Sequence, residues 1–562
     1  SWSDGELSDF EAPRSDGNFS LGSYKESTNR IIHLIYDAYG TFSKQLSDDF
    51  KLTTTLGFNS IEQGNRQVAG TTVGGLVIPG FYDLTNSSEN PRSTAFSALY
   101  RIFGVYSNTS VGFRNWLFAE YSARQDFSST LPAGKRGFFY QGGGISVVPT
   151  NLPDFDAGPL SFLKFRGGLG SAGKDAPQYR LNSYFGFNPT ILDLGDDYQV
   201  RFPFGGVPGA RKLNIIGNPD LKPELSITSE AGVDLGFFKG RVELEYTFYY
   251  INSTNQIVDA NIPWSSGYAF VPLNIGRMVN KGHELALRLN PVRTKMIDWK
   301  LYGSWSKNNN VVKEIIKNDV DNDELNIITN FLHFAGHGSL NLIAAEGLPF
   351  GTFKGTTYEY DPQGRIIVDA QGNPKRSAES KYLGSYQPDF LATLGTELTI
   401  NKRLTVRALL DGKKGGVFYS ATKLSTENNG TAITTLLNDR QPFVVENSVK
   451  EDGVGGFVAN TTETDAYHFY RGAPAGNYLL DASYLKLREV AISYNIPTGK
   501  MGAFKGITVG LFAKNLKYWV AKENTFADPE VGGVGAASDA VGIETTTTPT
   551  SKSFGAELRL NF

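Results

Sequence analysis

The sequence predicts an all-β protein, a transmembrane antiparallel β-barrel, on the basis of three observations. Segments in which apolar and polar residues alternate recur along the chain, which is typical of strands with one oily face and one wet face. Short connections alternate with long ones, as in barrels that have tight periplasmic turns and long extracellular loops. The last segment, SKSFGAELRLNF, alternates strictly and finishes on an aromatic residue.

The segment from Ser551 to Phe562 is the clearest of these strands. The residues of its apolar face, which would meet lipid, are Phe554, Ala556, Leu558, Leu560 and Phe562. The residues of its other face, which would line a wet interior, are Gly555, Glu557, Arg559 and Asn561. The termini of soluble domains usually fray, whereas the last strand of a barrel must pair to close the sheet. We therefore interpret this segment as a barrel-closing strand.

Composition agrees with this fold and excludes several others. The chain has 562 residues, no cysteine, 40% hydrophobic residues, a net charge of -3 and a mean hydropathy of -0.26. The lack of cysteine excludes a disulfide scaffold and thiolate metal sites, and the charge gives no indication of nucleic-acid binding. No apolar run approaches the roughly 18 residues of a membrane helix. This criterion does not detect the strands of a barrel, because only every second residue of such a strand is apolar. No signal peptide opens the sequence, so we expect a processed product or a fragment.

The chain contains about 15 segments long enough to cross a bilayer as tilted strands. They are 29–46, 49–61, 95–107, 113–126, 136–148, 160–171, 225–237, 241–252, 278–291, 297–310, 389–400, 403–415, 483–496, 504–517 and 551–562. The long connections include 62–94, 172–224, 311–388, 416–482 and 518–550. In 483–496 the apolar parity changes near Glu489, which predicts a β-bulge.

The predicted organisation is an extracellular loop segment, residues 1–28, followed by barrel, residues 29–562. Counting back from a last strand that ends in the periplasm, the first predicted strand would run inward. An odd number of strands cannot close an antiparallel barrel with both ends inside, and bacterial single-chain barrels have even numbers. We therefore expect the chain to be the C-terminal part of a larger barrel.

Several segments resemble motifs of one known family. NPDLKPE, from Asn218, resembles the NPxLKPE signature that opens a strand in TonB-dependent outer-membrane receptors. Others resemble motifs of the SusC/RagA branch: LKFRGG from Leu163, NIG from Asn274 with NKGHE from Asn280, YLLDASYLKLR from Tyr478, and KNL from Lys514 with DPE from Asp528. Together these motifs span residues 95–562.

The resemblance implies a bacterial outer-membrane transporter with a barrel of about 22 strands, of which the N-terminal strands and a plug domain would lie upstream of this chain. It implies coupling to TonB through that absent region. It also implies a SusD-like lipoprotein seated on the extracellular loops, and oligosaccharides or peptides as substrates. In the resembled family a terminal strand ending in Phe also directs insertion into the membrane.

Aromatic residues in the long loops are the candidate ligand-binding residues. They are Trp264, Tyr268, Phe270, Tyr358, Tyr467, His468 and Tyr470. Exposed aromatic rings can stack on sugars or hold peptide side chains. The alternative is that these residues pack the loops together or contact the partner protein.

A weak candidate for a structural Ca²⁺ site is the DxDxD run of Asp319, Asp321 and Asp323. Calcium loops use this spacing because alternate carboxylates converge on one ion. Glu324, however, stands where an EF-hand turn needs glycine, and Asn330 stands where the bidentate Glu should be. A solvated acidic loop is the alternative.

Two further patterns argue against other sites. His333 and His337 are four apart, but no Glu lies between them and their flanks are broken by glycine, unlike a helical zinc pair. Gly142-Gly143-Gly144 lacks the Lys-Ser/Thr of a phosphate-binding loop, so we interpret these glycines as making room in the lumen.

Two turns, Asp361 to Gly364 and Asp369 to Gly372, predict a folded hairpin within 355–376.

Three functions fit these observations. The first is TonB-dependent import of oligomeric nutrients together with a SusD-like lipoprotein. The alternatives are a barrel that anchors a surface lipoprotein complex and a passive porin. No catalytic constellation or cofactor fingerprint stands out, so we expect neither an enzyme nor a cofactor apart from the possible Ca²⁺.

Overall fold

The computed structural model describes residues 2–11, 22–153, 155, 158–186, 192–193, 199–200, 207, 209–315, 324–326, 340–497, 505–530, 532 and 541–561. Sixteen strands form one sheet in which each strand pairs with its neighbours in chain order. They are β1 (Trp2–Glu11), β2 (Ser23–Gln45), β3 (Phe50–Leu76), β4 (Ser87–Phe113), β5 (Leu117–Ser128), β6 (Gly137–Val147), β7 (Leu160–Lys174), β8 (Glu224–Phe237), β9 (Val242–Thr254), β10 (Arg277–Arg293), β11 (Ile297–Glu314), β12 (Phe390–Ile400), β13 (Leu404–Lys414), β14 (Tyr484–Ile496), β15 (Gly506–Val520) and β16 (Ser553–Asn561).

The two faces of this sheet differ as the alternation predicts. On β16, Phe554 is 74% exposed and Leu558 is 63% exposed. Val509 of β15 pairs with Leu558, and Thr508 pairs with Arg559, so apolar and polar residues continue on separate faces from strand to strand. The predicted barrel fold is confirmed, and the apolar face is the one that meets lipid. Phe562 lies outside the described residues.

The first strand corrects the prediction of a loop over residues 1–28. Residues Trp2–Glu11 form β1, and β2 begins at Ser23. The backbone of β1 pairs with only one half of β2, from Trp2 opposite Ile32 to Glu11 opposite Ser23. The sequence WSDGELSDFE carries no regular apolar alternation, so the pattern that located the other strands did not detect β1.

The predicted bulge near Glu489 is confirmed. β13 pairs with β14 through Leu410 opposite Leu487 and then through Leu409 opposite Glu489, so Arg488 is the extra residue on this side. The pairing with β15 shifts at the same place, where Asn515 and Leu516 lie opposite Arg488.

The long connections carry secondary structure of their own. Short β-ladders join Phe185–Gly186 with Arg211–Lys212, Leu192–Asp193 with Gln199–Val200, Ile257–Asn261 with Phe270–Asn274, and Phe443–Val444 with Glu463–Thr464. A four-stranded sheet contains Glu324–Asn326, Asn341–Ala345, Thr352–Gly355 and Lys381–Ser385. One three-stranded sheet contains Ile366–Ile367, Ser448–Glu451 and Phe457–Ala459. Another contains Leu479–Asp481, Val417–Ser420 and Ile543–Glu544.

The helices are short. α1 is Ala421–Asn428 and α2 is Ala466–Arg471, and the 3-10 helices are Leu84–Asn86, Ala133–Lys135, Pro149–Asn151, Trp264–Ser266, Ile433–Arg440 and Ala475–Tyr478. Among the described residues, no helix has the length and apolar character needed to span a membrane.

The predicted hairpin within 355–376 is confirmed. Tyr360 bridges to Ile366, and Val368 bridges to Pro374. Asp361 closes the first turn by accepting hydrogen bonds from the backbone N–H groups of Gln363 and Arg365, at 3.0 and 2.8 Å. Asp369 does the same in the second turn, which explains why both turns begin with Asp.

Candidate functional site

Three long loops pack into one body at the end of the barrel opposite the short turns. These loops, residues 340–389, 415–483 and 541–552, are called the loop assembly below. Its hydrophobic core draws residues from all three loops: Leu340, Leu342, Phe353, Tyr419, Ala421, Leu424, Ala473, Ala475, Tyr478 and Ile543. The loops therefore form a folded surface rather than separate flexible connections.

Glu544 ties the third loop to the second. The carboxylate accepts hydrogen bonds from the hydroxyls of Ser420 and Thr422, both at 2.8 Å, and from the backbone N–H of Thr422 at 3.1 Å. Ser420 in turn caps α1 by accepting from the backbone N–H of Lys423 at 3.0 Å. A buried carboxylate with this many donors holds the start of α1 in one orientation.

The candidate aromatic residues of the first and second loops divide into a buried and an exposed group. Tyr470 is buried and donates its hydroxyl hydrogen to the carbonyl oxygen of Thr434 at 2.6 Å. Tyr358 stacks on Phe469 with ring centroids 6.4 Å apart, and burial raises the pKa of its hydroxyl. Both tyrosines pack the loop assembly.

Tyr467 and His468 of α2 point to solvent, with exposed fractions of 57% for Tyr467 and 60% for the His468 side chain. The guanidinium of Arg471 lies 5.0 Å from the centre of the Tyr467 ring. Asp465 caps α2, and hydrogen bonds from the backbone N–H and the ring of His468 hold the pKa of its carboxyl below the usual value. This exposed group offers an aromatic face, a cation and a carboxylate to a ligand.

The remaining candidate aromatic residues lie in the connection between β9 and β10. Trp264 belongs to the 3-10 helix Trp264–Ser266. The ammonium of Lys212 lies 3.5 Å from the centre of the Tyr268 ring, and hydrogen bonds with Ser183 and Lys212 lower the pKa of Tyr268. Phe270 begins a short strand and pairs with Asn261. Whether any of the candidate aromatic residues contacts a ligand remains a prediction.

The NPDLKPE motif has an architectural role in this region. The amide of Asn218 donates to the carbonyl oxygen of Pro272 at 2.8 Å. Asn274, from the NIG motif, accepts from the backbone N–H of Lys222 at 2.8 Å and donates to its carbonyl oxygen at 2.7 Å. Two motifs that are far apart in the sequence are therefore joined by hydrogen bonds just before β8 begins.

A buried ionic cluster was missed in the sequence. The ammonium of Lys486 donates to both carboxylate oxygens of Asp528 at 2.8 Å and to Glu530 at 2.6 Å. Arg488 donates to Glu530 and to Asp411, each at 2.8 Å. Lys486 is almost completely buried. The signal was present in the two motifs YLLDASYLKLR and DPE, which supply the cations and the loop carboxylates respectively.

Hydrogen bonds dominate the electrostatics of this cluster. Burial alone would raise the pKa of Asp528, but hydrogen bonds from Lys486 and Thr550 lower it below the ordinary value of 3.8. The pKa of Glu530 is also lowered, because bonds from Arg488 and Lys486 outweigh its burial. The cluster therefore stays ionised and fastens the loop after β15 to the barrel wall.

Gly142, Gly144, Gly168 and Gly170 lie on the inner face of the barrel, whereas Gly143 pairs with Leu169 on the outer face. Gly144 pairs with Glu120 and Gly168, and Gly168 pairs with Glu230, so glycines lie between two acidic residues. A Cβ atom on Gly142 would lie 3.2 Å from the Cα atom of Gly170, so a side chain there would crowd the neighbouring strand. A cavity of about 320 Å³ lies over this strip. The prediction that the glycines make room in the lumen therefore holds for Gly142 and Gly144 but not for Gly143.

The calcium candidates Asp319, Asp321 and Asp323 lie outside the described residues, as do His333 and His337. Within the ranges that are described, no group of three or more His, Asp or Glu side chains is arranged to hold a metal ion.

Comparison with known proteins gives one family match. The family model described as TonB dependent receptor-like, beta-barrel matches residues 2–516. TonB-dependent receptor P26 of Formosa agariphila is 24% identical over 93% of this chain and 52% of its own length. TonB-dependent receptor SusC of Bacteroides thetaiotaomicron is 21% identical over 100% of this chain and 53% of its own length. The chain thus spans about half the length of these curated relatives.

Solved structures show the same fold. A structure of the RagAB peptide transporter is 19% identical with a TM-score of 0.73, and it covers 100% of this chain and 59% of the solved chain. A structure of the RagAB peptide importer in the closed-closed state is 20% identical with the same TM-score and coverage.

Proposed function

Because this chain belongs to the TonB-dependent receptor-like β-barrels of the outer membrane, we propose that it forms the wall and outer loops of an importer of oligomeric nutrients. The substrates are oligosaccharides or peptides, and a SusD-like surface lipoprotein works with the barrel. TonB drives transport through a part of the protein that precedes this chain.

The observation that carries the proposal is the folded loop assembly fastened to the barrel wall. A passive pore needs only an open lumen, whereas three loops packed on a common core make a shaped surface for recognition. The exposed group of Tyr467, His468 and Arg471 lies on this surface. Aromatic and cationic side chains of this kind suit sugar rings and peptide groups alike.

A ridge of exposed apolar side chains supports a protein partner. Ile433, Leu436 and Leu437, in the segment Ile433–Arg440, are 74%, 51% and 43% exposed. The backbone then turns through Asn438 and Asp439, which have φ values of 48° and 52°. Clustered apolar groups on an extracellular surface mark sites of protein contact. Anchoring a surface lipoprotein without transport is the second candidate function, and this ridge favours it equally.

Similarity supports the substrate classes. SusC and the RagAB peptide transporter resemble this chain over its whole length, and the second of these carries its ligand class in its name. At 19–21% identity the shared feature is the fold. The choice between a sugar and a peptide therefore depends on the exposed loop residues.

Uptake by cells that lack the complete receptor tests the import proposal. We expect labelled oligomers of one class, peptides or oligosaccharides, to enter more slowly in the deletion strain. Restoring the receptor with Tyr467→Ala and Arg471→Ala should leave uptake low, whereas the control Val454→Ala, on the same loop, should restore it. Normal uptake of every oligomer by the deletion strain would overturn the proposal.

Capture of the partner separates transport from anchoring. The complete receptor should retain a surface lipoprotein on purification from outer membranes. Leu436→Asp should release it, and Val454→Asp, which also places a carboxylate on an exposed apolar position, should not. Retention of the lipoprotein with no uptake defect in the deletion strain would identify an anchor.

A further inference from the structure

Three consecutive short turns carry a concentration of positive charge. The residues, called the basic rim, are Lys239 and Arg241 between β8 and β9, Arg293 and Lys295 between β10 and β11, and Lys402 and Arg403 between β12 and β13. Short turns of outer-membrane barrels lie on the periplasmic side. The basic rim therefore faces the periplasmic leaflet of the membrane, away from the loop assembly.

The three turns form one continuous surface. The backbone N–H of Asn290 donates to the carbonyl oxygen of Arg241 at 2.7 Å, and that of Asn401 donates to Met296 at 2.6 Å. Neighbouring strands are about 4.8 Å apart, so successive turns are separated by about 10 Å. A single headgroup can reach two cations of one turn.

Two acidic residues lie near the basic rim, Glu243 beside Gly240 of the first turn and Asp298 opposite Arg293 in the strand pairing. Of the carboxylates in the described part of the chain, none forms an ion pair with any of the six cations. The closest acidic residues along the strands are engaged elsewhere: Asp298 with Asn290 at 2.9 Å, and Glu243 with Arg288 at 3.6 Å. Arg114, in a short turn on the other side of the sheet, is paired with Asp49 at 2.7 Å.

Two of the lysines occupy positions that favour glycine. Lys239 has a φ of 58° and Lys402 a φ of 57°, both in the left-handed region. Tight hairpin turns usually place glycine there because a Cβ atom is strained in this conformation. Strained positions that retain a charged side chain are typical of functional sites.

Apolar groups lie beside these cations. Phe238 is 58% exposed and Met296 is 64% exposed, although each lies in a turn. A cavity of about 780 Å³ at the first turn is lined by Phe238, Lys239 and Arg241 together with Val242 and Leu289. Val242 and Leu289 pair across β9 and β10 on the lipid-facing side of the wall. The cavity therefore joins the apolar face of the barrel to the cationic side chains of Lys239 and Arg241.

We propose that the basic rim binds an anionic glycerophospholipid of the periplasmic leaflet, with a headgroup like that of phosphatidylglycerol. The phosphate lies between Lys239 and Arg241, and an acyl chain fills the cavity against Val242 and Leu289. The four other cations attract further anionic headgroups, because unpaired Lys and Arg at a membrane surface each favour anionic lipid. The inference depends on the outer-membrane location and is independent of what the barrel imports.

Native mass spectrometry of the complete receptor tests this binding. The probes are phosphatidylglycerol and phosphatidylcholine with identical acyl chains, so only the headgroup differs. We expect the receptor to retain phosphatidylglycerol preferentially. Lys239→Gln with Arg241→Gln should weaken its binding by about tenfold or more, since two surface cations are lost. The control is Lys381→Gln with Lys522→Gln, two exposed lysines of the outer loops, which should change nothing.

Each outcome decides the proposal. Equal retention of the two lipids, or undiminished phosphatidylglycerol binding in the Lys239 and Arg241 variant, would overturn it. Binding of polyglutamate in place of phosphatidylglycerol, lost in the same variant, would overturn it in favour of an acidic protein segment. Heat-dependent migration in SDS gels shows whether each variant is folded, and a glutamine retains much of the side-chain stem, so the barrel should assemble.

Discussion

The barrel wall and the loop assembly are stabilised in opposite ways. In the wall, large apolar residues such as Phe554 and Leu558 lie on the outside and are exposed until lipid covers them. In the loop assembly, Phe353, Leu342 and Tyr478 are almost completely buried against each other. The wall depends on backbone ladders and lipid, whereas the loops depend on a packed core of the kind found in soluble domains.

Because of this difference, we expect that a substitution can destabilise one region without destabilising the other. A substitution in the loop core should loosen the recognition surface and leave the barrel inserted. A substitution on the lipid-facing side should affect insertion and leave the loop core unchanged. The ionic cluster of Lys486 joins the two regions, so its loss should detach one from the other.

The largest effect is expected for Phe353→Ala. Phe353 is completely buried in the loop core, so its loss should destabilise the loop assembly by about 3–5 kcal/mol. Hydrogen exchange should then rise across residues 340–389 and 415–483, while β12–β15 stay protected. Phe139→Ala, on the outer face of β6, is the control. Uniform loss of protection in the loops and the wall would contradict the separation.

Lys486→Met should destabilise the attachment of the last loop by about 3 kcal/mol. The substitution leaves the buried carboxylate of Asp528 without its cation, whereas Glu530 keeps Arg488. Limited proteolysis should cut between residues 521 and 552 in the variant before it cuts elsewhere. Lys522→Met, an exposed lysine in the same loop, should leave the cleavage pattern unchanged. Equal resistance of both variants would exclude a fastening role.

Leu558→Lys should destabilise the inserted barrel by about 2 kcal/mol or more, because it places a cation near the middle of the lipid-facing side. Asn561→Lys, on the opposite face of the same strand, should cost far less. Refolding into lipid vesicles followed by urea denaturation measures the two free energies of unfolding. Similar values for the two variants would show that this face does not contact lipid.

The smallest effect is expected for acidification, which weakens the ion pair between Lys486 and Asp528. The pKa of Asp528 is lower in the folded protein than its ordinary value of 3.8, so its ion pair stabilises the folded state above that value. The contribution is lost as the pH falls below 3.8 through the folded pKa. Proteolysis of the last loop with an acid-tolerant protease should therefore accelerate below about pH 4 in the parent, and less so in Lys486→Met.

Sequence patterns predicted the wall well and the loops poorly, for a physical reason. Alternation located strands such as β9, β10 and β16, and a break in alternation located the bulge at Arg488. The same criterion missed β1, because its residues do not alternate and only its backbone pairing with β2 reveals the strand. The motifs were recognised, but their contacts, such as Asn218 with Pro272, join segments that the sequence separates widely.

The sequence by itself determined that this chain is an antiparallel sheet with one lipid-facing side, because a repeat of two residues places apolar side chains on one face. Its motifs, such as NPDLKPE, resemble those of TonB-dependent receptors, and the family match agrees with them. Only the tertiary structure decided which loop aromatics are buried, such as Tyr470, and which are exposed, such as Tyr467. It also decided that Lys486 meets Asp528 and that the basic rim gathers cations from three separate turns. Contacts of this kind depend on how distant segments pack against each other, which no local sequence pattern encodes.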